Sequence, residues 1–525
     1  MKMVMWRGRF TAGQALVGMA AILTILSFIQ PSRAEGDDHR ALQLLLDKGI
    51  ITQQEYDQAV SEEEREKQQE KQANGVAKNG LQIKIGGFAE LDFIGDNTRS
   101  FEEIIGNRPV LRSDTVAGAN GRYTTSPRNS RLTFDVRAPE RNGIKSQFYG
   151  SLDFLGNEPD IGTSSVSELT VRTSPTARVF QMYFKVETPA VDVKVGQDWS
   201  RFGFMSEYSR GQVSVAATPA NMFNRWVQAS VSKRLKLTDT FSITPMFSVE
   251  RPPQRDANLP SFVAGIQVAH HGLVAPYTGS STGEIALKPL SLQISGVGRR
   301  LEANTGGPTT TTGGPPPVGG QPNLNSQTYV TGWGASSSLF VPVLPSKNGE
   351  LGNTAHVVME GVTGAGIADF FNGLSWGVCN PVCGYSPTNS GFGGAAFGQT
   401  DIDAGLAAVS SRTGKFEAIR TTSMMVHGTY YLPDDGKTWV GGGYGTIYSS
   451  NAGEMTCTVS ATFCGGATRT LQSIYTRDST YYAYVFHDFT EQIRAAISTN
   501  WVKTTYADGA HAENRRIQVN FFYRF

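Results

Sequence analysis

The chain has 525 residues, with 47 Lys and Arg against 46 Asp and Glu and 58 glycines. This charge balance excludes an electrostatic grip on nucleic acid as the main activity, so no nucleic-acid partner is predicted. After the first 30 residues, no apolar run is long enough to cross a bilayer as a helix. The many glycines and the 10% aromatic content indicate strands and loops rather than helices.

The first 34 residues have the pattern of a secretory signal peptide. A basic start precedes an almost continuous apolar run over residues 15–29, and Ser32 and Ala34 are the small residues expected before a cleavage site. We predict cleavage near Ala34-Glu35 and export from the cytoplasm. An N-terminal membrane anchor is the alternative, and it is disfavoured because the run is short and ends in a good cleavage site.

Residues 35–80 are predicted to form a short helical periplasmic segment and a linker. Gly49 suits the exit of a first helix, and residues 52–55 make a capping box that opens a second. The second helix is polar on all sides after Ser61, so it has no apolar face to bury. We interpret the segment as a tether, and a role in oligomerisation or cell-wall contact stays open.

From residue 81 onward, apolar and polar residues alternate. Over residues 180–186, for example, Phe180 and Met182 are apolar whereas Gln181 and Tyr183 are polar. Alternation puts one face of a strand in an apolar medium and the other in a polar one. The predicted strands cover 81–95, 129–138, 143–155, 177–187, 191–199, 225–235, 240–251, 260–271, 284–301, 328–341, 354–364, 414–431, 438–449, 479–487, 492–505 and 514–525.

Strand length and connection length separate a membrane barrel from a soluble sandwich, which would also alternate. Many of these strands reach the roughly 9–11 residues that a tilted strand needs to cross a bilayer. The gaps are mostly long after odd-numbered strands and short after even-numbered ones, which is typical of outer-membrane barrels. We therefore predict a 16-stranded antiparallel β-barrel over residues 81–525, embedded in the lipid of the bacterial outer membrane.

The end of the chain carries a specific pattern. Phe525, Tyr523 and Phe521 form an apolar face, with Phe522 as the exception. A terminal Phe on an alternating strand looks like the assembly signal of outer-membrane proteins, so the barrel-assembly machinery is an expected partner. Tryptophans near predicted strand ends are expected in the aromatic girdles, namely Trp199, Trp226, Trp439 and Trp501.

Four cysteines lie in two long gaps, as Cys379 with Cys383 and Cys457 with Cys464. Four cysteines allow three pairings, which sequence alone does not decide. Export favours disulfides over a zinc site, and we expect local pairing because it orders the least chain.

Residues for catalysis are sparse. His270-His271 lacks the spacing of metal ligands, and Asp434-Asp435-Gly436 reads as a hairpin turn. We therefore predict no metal, no cofactor and no enzymatic activity.

Three segments resemble a known family. They are residues 130–134 followed by 150–154, the stretch Val-Gly-Gln-Asp-Trp-Ser-Arg-Phe at 195–202, and the helical start at 44–55. Together they resemble the DcaP-like trimeric porins, which are close to the phosphate-selective porins. The resemblance covers about a third of the chain. It implies a 16-stranded homotrimer that admits small anionic solutes such as dicarboxylates.

A barrel of sixteen strands encloses an aqueous channel. We expect loop 200–224 to bend into this channel and bring Arg201 and Arg210 to a constriction, with Arg225 just after the loop. Arg131 and Lys145 would contribute from the opposing wall. Basic side chains favour anions, and arginine matches a carboxylate with two parallel hydrogen bonds. The alternative is a non-conducting barrel whose disulfide-bearing loops bind a partner or a surface.

Overall fold

The computed structural model describes a defined part of the chain, and this part begins at Gly80. It comprises residues 80–106, 108–156, 175–203, 219–252, 257–278, 285–304, 327–371, 374–378, 405–413, 415–456 and 469–525. The predicted signal peptide and almost all of the helical segment lie outside these residues. So do Arg210 and all four cysteines, and the predicted disulfide pairing therefore stays a prediction.

Sixteen long strands of the described residues form one closed antiparallel barrel, which confirms the predicted fold class. Each strand pairs with its neighbours in the chain, and the last strand pairs with the first from Phe88 with Arg524 to Asp96 with Arg516. Closure satisfies the backbone groups that would otherwise face lipid unpaired. The strands are β1 (Gln82–Asp96), β2 (Arg131–Arg137), β3 (Lys145–Asp153), β4 (Arg178–Glu187), β5 (Asp192–Trp199), β6 (Arg225–Ser232), β7 (Phe241–Glu250), β8 (Ser261–Thr278), β9 (Ile285–Asn304), β10 (Gln327–Leu344), β11 (Thr354–Ala365), β12 (Arg420–Tyr431), β13 (Thr438–Tyr448), β14 (Tyr475–Asp488), β15 (Ile493–Tyr506) and β16 (His511–Arg524).

Short elements decorate the barrel. Arg122–Ser126 pairs with the last residues of β1, Leu235–Lys236 pairs with the start of β7, and Ala407–Val409 forms a small hairpin with Phe416–Ala418. The described helical turns are Val116–Ala119, Ala368–Phe370 and Ala452–Glu454. Within the described residues, none of the helices has the length and apolar character needed to cross a membrane.

The closing strand shows how the barrel separates lipid from water. Tyr523 and Phe525 are 54% and 61% exposed on the outer face, whereas Phe522 is 2% exposed and points inward. The main chain of Phe525 exchanges two hydrogen bonds with Gly87, of 3.0 and 3.2 Å, so the terminal residue is held against β1. The predicted apolar face is confirmed, and Phe522 is the exception because it belongs to the lumen.

The structure corrects the expected alternation of β4 and the expected start of β12. Phe180 is an extra residue between the pairs Ser151–Gln181 and Leu152–Val179, and this bulge breaks the alternation predicted for β4. The strand predicted to start at residue 414 starts at Arg420, because the residues before it form the small hairpin.

The tryptophans also differ from the girdle expectation. Trp501 is 40% exposed on the outer face, as expected, but Trp439 is 1% exposed and packs in the lumen on Phe486. Trp199 packs inside against Phe180 and Phe223, so large size rather than lipid contact explains these two tryptophans.

Long connections fold into the barrel and share one hydrophobic cluster, which we call the loop core. Outer-membrane barrels carry long loops on the extracellular side and short turns on the periplasmic side, so the loop core lies toward the extracellular end. Because these side chains come from four connections and from the inner faces of the strands, the loop core occupies part of the lumen. Its largest members are Phe101, Phe202, Phe370, Phe371, Trp376, Tyr475 and Tyr506.

Candidate functional site

A pair of arginines flanks one aromatic ring on the inner face of β2–β6. The bulge at Phe180 turns this ring into the lumen, where the guanidinium carbons of Arg131 and Arg225 lie 3.4 and 3.8 Å from its centre. At these distances, two guanidinium groups on one face of the ring would overlap, so they lie on opposite faces. The ring attracts both cations through its quadrupole.

Most basic side chains of this wall are neutralised by a neighbouring carboxylate, but these two arginines are not. Neither Arg131 nor Arg225 has an acidic partner within ion-pair distance among the described residues. The Nε atom of Arg131 and the Nε and Nη1 atoms of Arg225 are buried without an acceptor there. The paired groups of the same wall are Arg137 with Asp135, Lys145 with Glu140, Arg178 with Asp153, Lys185 with Glu187, Lys194 with Asp198, and Lys233 with Asp192.

A third arginine completes the cluster. Arg178 on β4 binds both carboxylate oxygens of Asp153, with nitrogen–oxygen distances of 2.9 and 2.8 Å. Trp199 and Phe223 add aromatic rings on the side of Arg225, at 4.9 and 5.5 Å from its guanidinium carbon. The cluster thus combines three positive charges with one negative charge and can attract an anion to the lumen.

The start of loop 200–224 crosses the lumen from the arginine wall. The Arg201 amide donates to Glu250 at 3.0 Å, and the Gly203 amide donates to the Ser295 hydroxyl on β9, also at 3.0 Å. Between them, the Phe202 ring packs edge-on against Phe370 in the loop core, with centres 4.9 Å apart. The chain therefore leaves β5 and reaches β9, four strands farther along the wall.

The end of the same loop returns along a similar route. The Ala220 carbonyl accepts a hydrogen bond of 2.8 Å from Ser423 on β12, and the Phe223 amide donates to the Phe370 carbonyl at 2.9 Å. Arg299 on β9 holds the segment that carries Phe370, because its guanidinium binds both carboxylate oxygens of Asp369 at 2.7 Å. The described ends of loop 200–224 are thus fixed inside the barrel.

The predicted constriction residues do not all meet. Arg131 and Arg225 share the Phe180 ring, and the backbone of Arg201 lies at the adjacent base of the loop. Lys145 lies elsewhere. It is eight residues along β3 from Asp153, the residue paired with Arg131, which is roughly 26 Å at about 3.3 Å per residue. Its side chain is 62% exposed at the periplasmic rim, 3.7 Å from Glu140.

Sequence reasoning missed Arg178 and Phe180. Arg178 lies at the predicted start of its strand, where alternation does not show whether a side chain faces the lumen or the lipid. Phe180 was assigned to lipid because a period of two cannot register one inserted residue. In the sequence, Arg178 precedes and Arg225 follows the Gly-Gln-Asp-Trp segment at 196–199. This arrangement identifies a site only after the strands are paired.

Comparison with solved structures shows which proteins share this barrel. The outer-membrane channel DcaP of Acinetobacter baumannii is similar, with a TM-score of 0.54 and 14% identity over 86% of this chain and 99% of that chain. An anion-selective porin from Comamonas acidovorans has a TM-score of 0.41 with 11% identity, covering 85% of this chain and 100% of that chain. Pseudomonas putida OprB has a TM-score of 0.44 with 9% identity, covering 85% and 94%. The last two TM-scores are below 0.5, and the fold assignment does not depend on them.

The resemblance to the DcaP-like porins is therefore confirmed for the fold. The chain has the fold of an outer-membrane channel, in agreement with the predicted localisation in the bacterial outer membrane. No protein-family model matches the sequence, and no curated protein matches it.

Proposed function

We propose that this protein is an outer-membrane porin whose water-filled channel prefers small anions of the dicarboxylate class. The observation that carries the proposal is the pair Arg131 and Arg225, two lumenal guanidinium groups without a carboxylate partner in the described residues. An unpaired charge is tolerated where water and mobile ions reach it, and it is costly where they do not. Both residues are only half-buried, so we take the lumen beside them as the part that solutes use.

The chemistry of the pair suits transient binding of carboxylates. Each guanidinium offers parallel N–H donors that match the two oxygens of a carboxylate. Because the ring of Phe180 separates the two cations, a solute with two carboxylates can contact both without neutralising either completely. Conduction requires a site that attracts the solute but also releases it.

Strand length supports the proposed homotrimer. The wall strands β5 and β6 have eight residues each, whereas β10 has 18. At about 3.3 Å per residue and a tilt near 40°, eight residues rise only about 20 Å, which is less than the apolar band of about 25 Å. We infer that neighbouring subunits, rather than lipid, cover this short wall, and the resemblance to trimeric porins agrees with three copies.

The experiment is the reversal potential of the purified protein in a planar bilayer under a salt gradient. We expect the wild type to prefer anions and the combined change Arg131→Ala and Arg225→Ala to move the potential clearly toward zero selectivity. Arg137→Ala is the matched control, because Arg137 lies on the same strand as Arg131 but is exposed and paired with Asp135. Its potential should stay near the wild-type value.

Two results would contradict the proposal. A wild type that prefers cations, or a double variant with an unchanged potential, would show that the arginine pair does not set selectivity. A folded wild type without any current would instead favour a non-conducting barrel whose loops bind a partner. If the wild type conducts, the combined change Arg201→Ala and Arg210→Ala tests the predicted constriction residues of loop 200–224 in the same assay.

A further inference from the structure

One periplasmic hairpin leaves the barrel wall. Strand β8 pairs with β7 only as far as His270, and its pairing with β9 shifts between His270 and Val274. On the other arm, β9 pairs with β10 only from Ser291 onward. As strands, residues 274–278 and 285–289 therefore pair with each other and not with β7 or β10, and the Ser346 amide donates a hydrogen bond of 2.8 Å to the Val274 carbonyl. We call residues 272–278 and 285–290 the tongue.

Burial shows that the tongue lies inside the barrel rather than along its outer surface. A wall strand exposes alternate residues to lipid, but all four residues 275–278 are buried. On the other arm, Ala286 and Leu287 are exposed, the latter to 39%. One arm is thus covered on both faces, while the other arm faces water.

Contacts with distant strands fix the position of the tongue. The Nδ1 atom of His356, which faces the lumen from β11, donates a hydrogen bond of 2.8 Å to the Pro276 carbonyl. The ring of Tyr277 packs edge-on against Phe340 on β10, with centres 5.8 Å apart. Ile285 packs against the aromatic cluster that includes Trp439 on β13. The tongue therefore bends back over the inner faces of β10–β13.

The wall beneath the tongue is a layer of flat aromatic rings. Tyr482 and Tyr484 on β14 reach across the glycines of β13 to hydrogen-bond His427 on β12, both at 2.9 Å. The close approach needs glycine, because a Cβ atom at Gly443 would lie 2.5 Å from the Tyr482 hydroxyl. The tongue packs on part of this layer, and together they thicken one side of the lumen near its periplasmic end.

We propose that the tongue forms a second constriction, which sets the size limit of the channel and directs solutes along β2–β6. This inference rests on the proposed porin function and deepens it. The loop core already occupies the lumen beside β9–β14 at the extracellular end, and the tongue occupies the same side at the periplasmic end. The open route then follows the wall with Arg131 and Arg225.

The test removes the tongue and keeps the arginines. Residues 271–289 are replaced by Asn-Gly, so that the pair His270 and Leu290 closes a two-residue hairpin. We expect the single-channel conductance to rise at least about twofold, since a wider aqueous path carries more ions. The reversal potential should stay near the wild-type value, because Arg131, Arg225 and the loop core opposite them are unchanged. Larger neutral solutes should also enter faster in a liposome-swelling assay.

A milder variant keeps the test decisive if the trimmed protein fails to fold, as judged by its heat-modifiable migration on a gel. His356→Ala removes the hydrogen bond to Pro276 and the ring beside Tyr277, and we expect a smaller rise in conductance. His487→Ala is the control, because His487 lies at the same end of the barrel but contacts Thr438 and Phe489.

The outcomes separate the two proposals. If the wild type conducts and neither the trimmed protein nor His356→Ala differs from it, the second constriction is wrong and the porin function stands. If the wild type is silent and the trimmed protein conducts, the tongue closes the channel completely, and the open route along β2–β6 is wrong. If both are folded and silent, the porin function and the constriction fail together.

Discussion

The inner faces of β2–β6 and of β9–β15 differ in what covers them. The first wall is built from strands of seven to ten residues, and it carries Arg131 and Arg225 without carboxylate partners among the described residues. The second wall has long strands and lies under the loop core, the tongue and a layer of aromatic rings. The first wall therefore borders the proposed path of solutes, whereas the second wall is covered by the loop core and the tongue.

Charge pairing follows this division. On the covered side, Arg299 binds Asp369 and Arg494 binds Asp488. On the adjoining β16, Arg516 binds Asp96 of β1, and all three guanidinium groups are almost fully buried. A buried charge without a partner costs several kcal/mol, so the covered wall has to neutralise its arginines. The comparison teaches that these fully buried arginines are each paired with a carboxylate, whereas the half-buried Arg131 and Arg225 are not.

Breaking a pair on the covered wall should give the largest effect. Arg299→Ala leaves the buried carboxylate of Asp369 without its partner, a loss of about 3–5 kcal/mol for a buried pair. We expect the loop core to open locally, with faster proteolysis of the segment around Phe370 and noisier single-channel current. The measurements are limited proteolysis of the purified protein and bilayer recording.

Arg300→Ala is the matched control for this change. Arg300 is the next residue along the same strand, and its partner Glu302 and its own side chain are less buried than the Arg299 pair. Equal proteolysis of both variants and the wild type would show that the Arg299 pair does not hold the loop core.

The sequence predicted the barrel well because membrane strands obey simple constraints. The lipid-facing residues of β16 must be apolar, and the connections between strands must alternate in length. Both patterns can be read from the sequence without knowledge of the tertiary structure. The predicted bounds of β1 and β13 therefore lie within a residue of the observed ones. The tongue was missed for a physical reason: residues 272–278 lie inside the lumen, so they are freed from the alternation that reveals wall strands.

The site was predicted only in part. Arg131 was predicted from its inward parity and Arg225 from its position just after loop 200–224. Their contact with one ring depends on the bulge at Phe180 and on the pairing of β2–β6. Lys145 is basic and has the same inward parity as Arg131, yet it lies at the rim. Alternation predicts which face of the wall a side chain is on, but not its height along the barrel axis. Height along the barrel is set by register, which the pairing of strands alone supplies.

A middle-sized effect is expected at the ring between the two arginines. Phe180→Leu keeps an apolar side chain but removes two cation–π contacts of about 0.5–2 kcal/mol each. Both guanidinium groups then sample more positions, and the anion preference should fall by less than in the double arginine variant. The reversal potential measures this, with lipid-facing Phe247→Leu as control. A potential equal to the wild type would mean that charge alone, without the ring, sets selectivity.

The smallest effect concerns the outer end of the covered wall, where loop 97–121 is tied to the turn between β15 and β16. The Asp508 carboxylate accepts hydrogen bonds from the Ala510 amide at 3.0 Å and from Arg112 at 2.9 Å. The amide and the guanidinium lower the pKa of Asp508, in that order of importance. Because the folded pKa is depressed, this stabilisation is present above the unfolded value of about 3.9 and is lost as the pH falls through the folded pKa.

Asp508→Asn should therefore lower the thermal midpoint slightly at neutral pH and progressively less as the pH falls below about 3.9. The effect stays small because the pair is exposed and screened by water. Asp114→Asn is the control, since Asp114 approaches the same Arg112 only at 3.9 Å and is 73% exposed. A difference between Asp508→Asn and the wild type that persists unchanged into strong acid would contradict an ionic tie and indicate packing instead. In that case the covered wall would be held at its outer end by apolar contacts, as in the loop core.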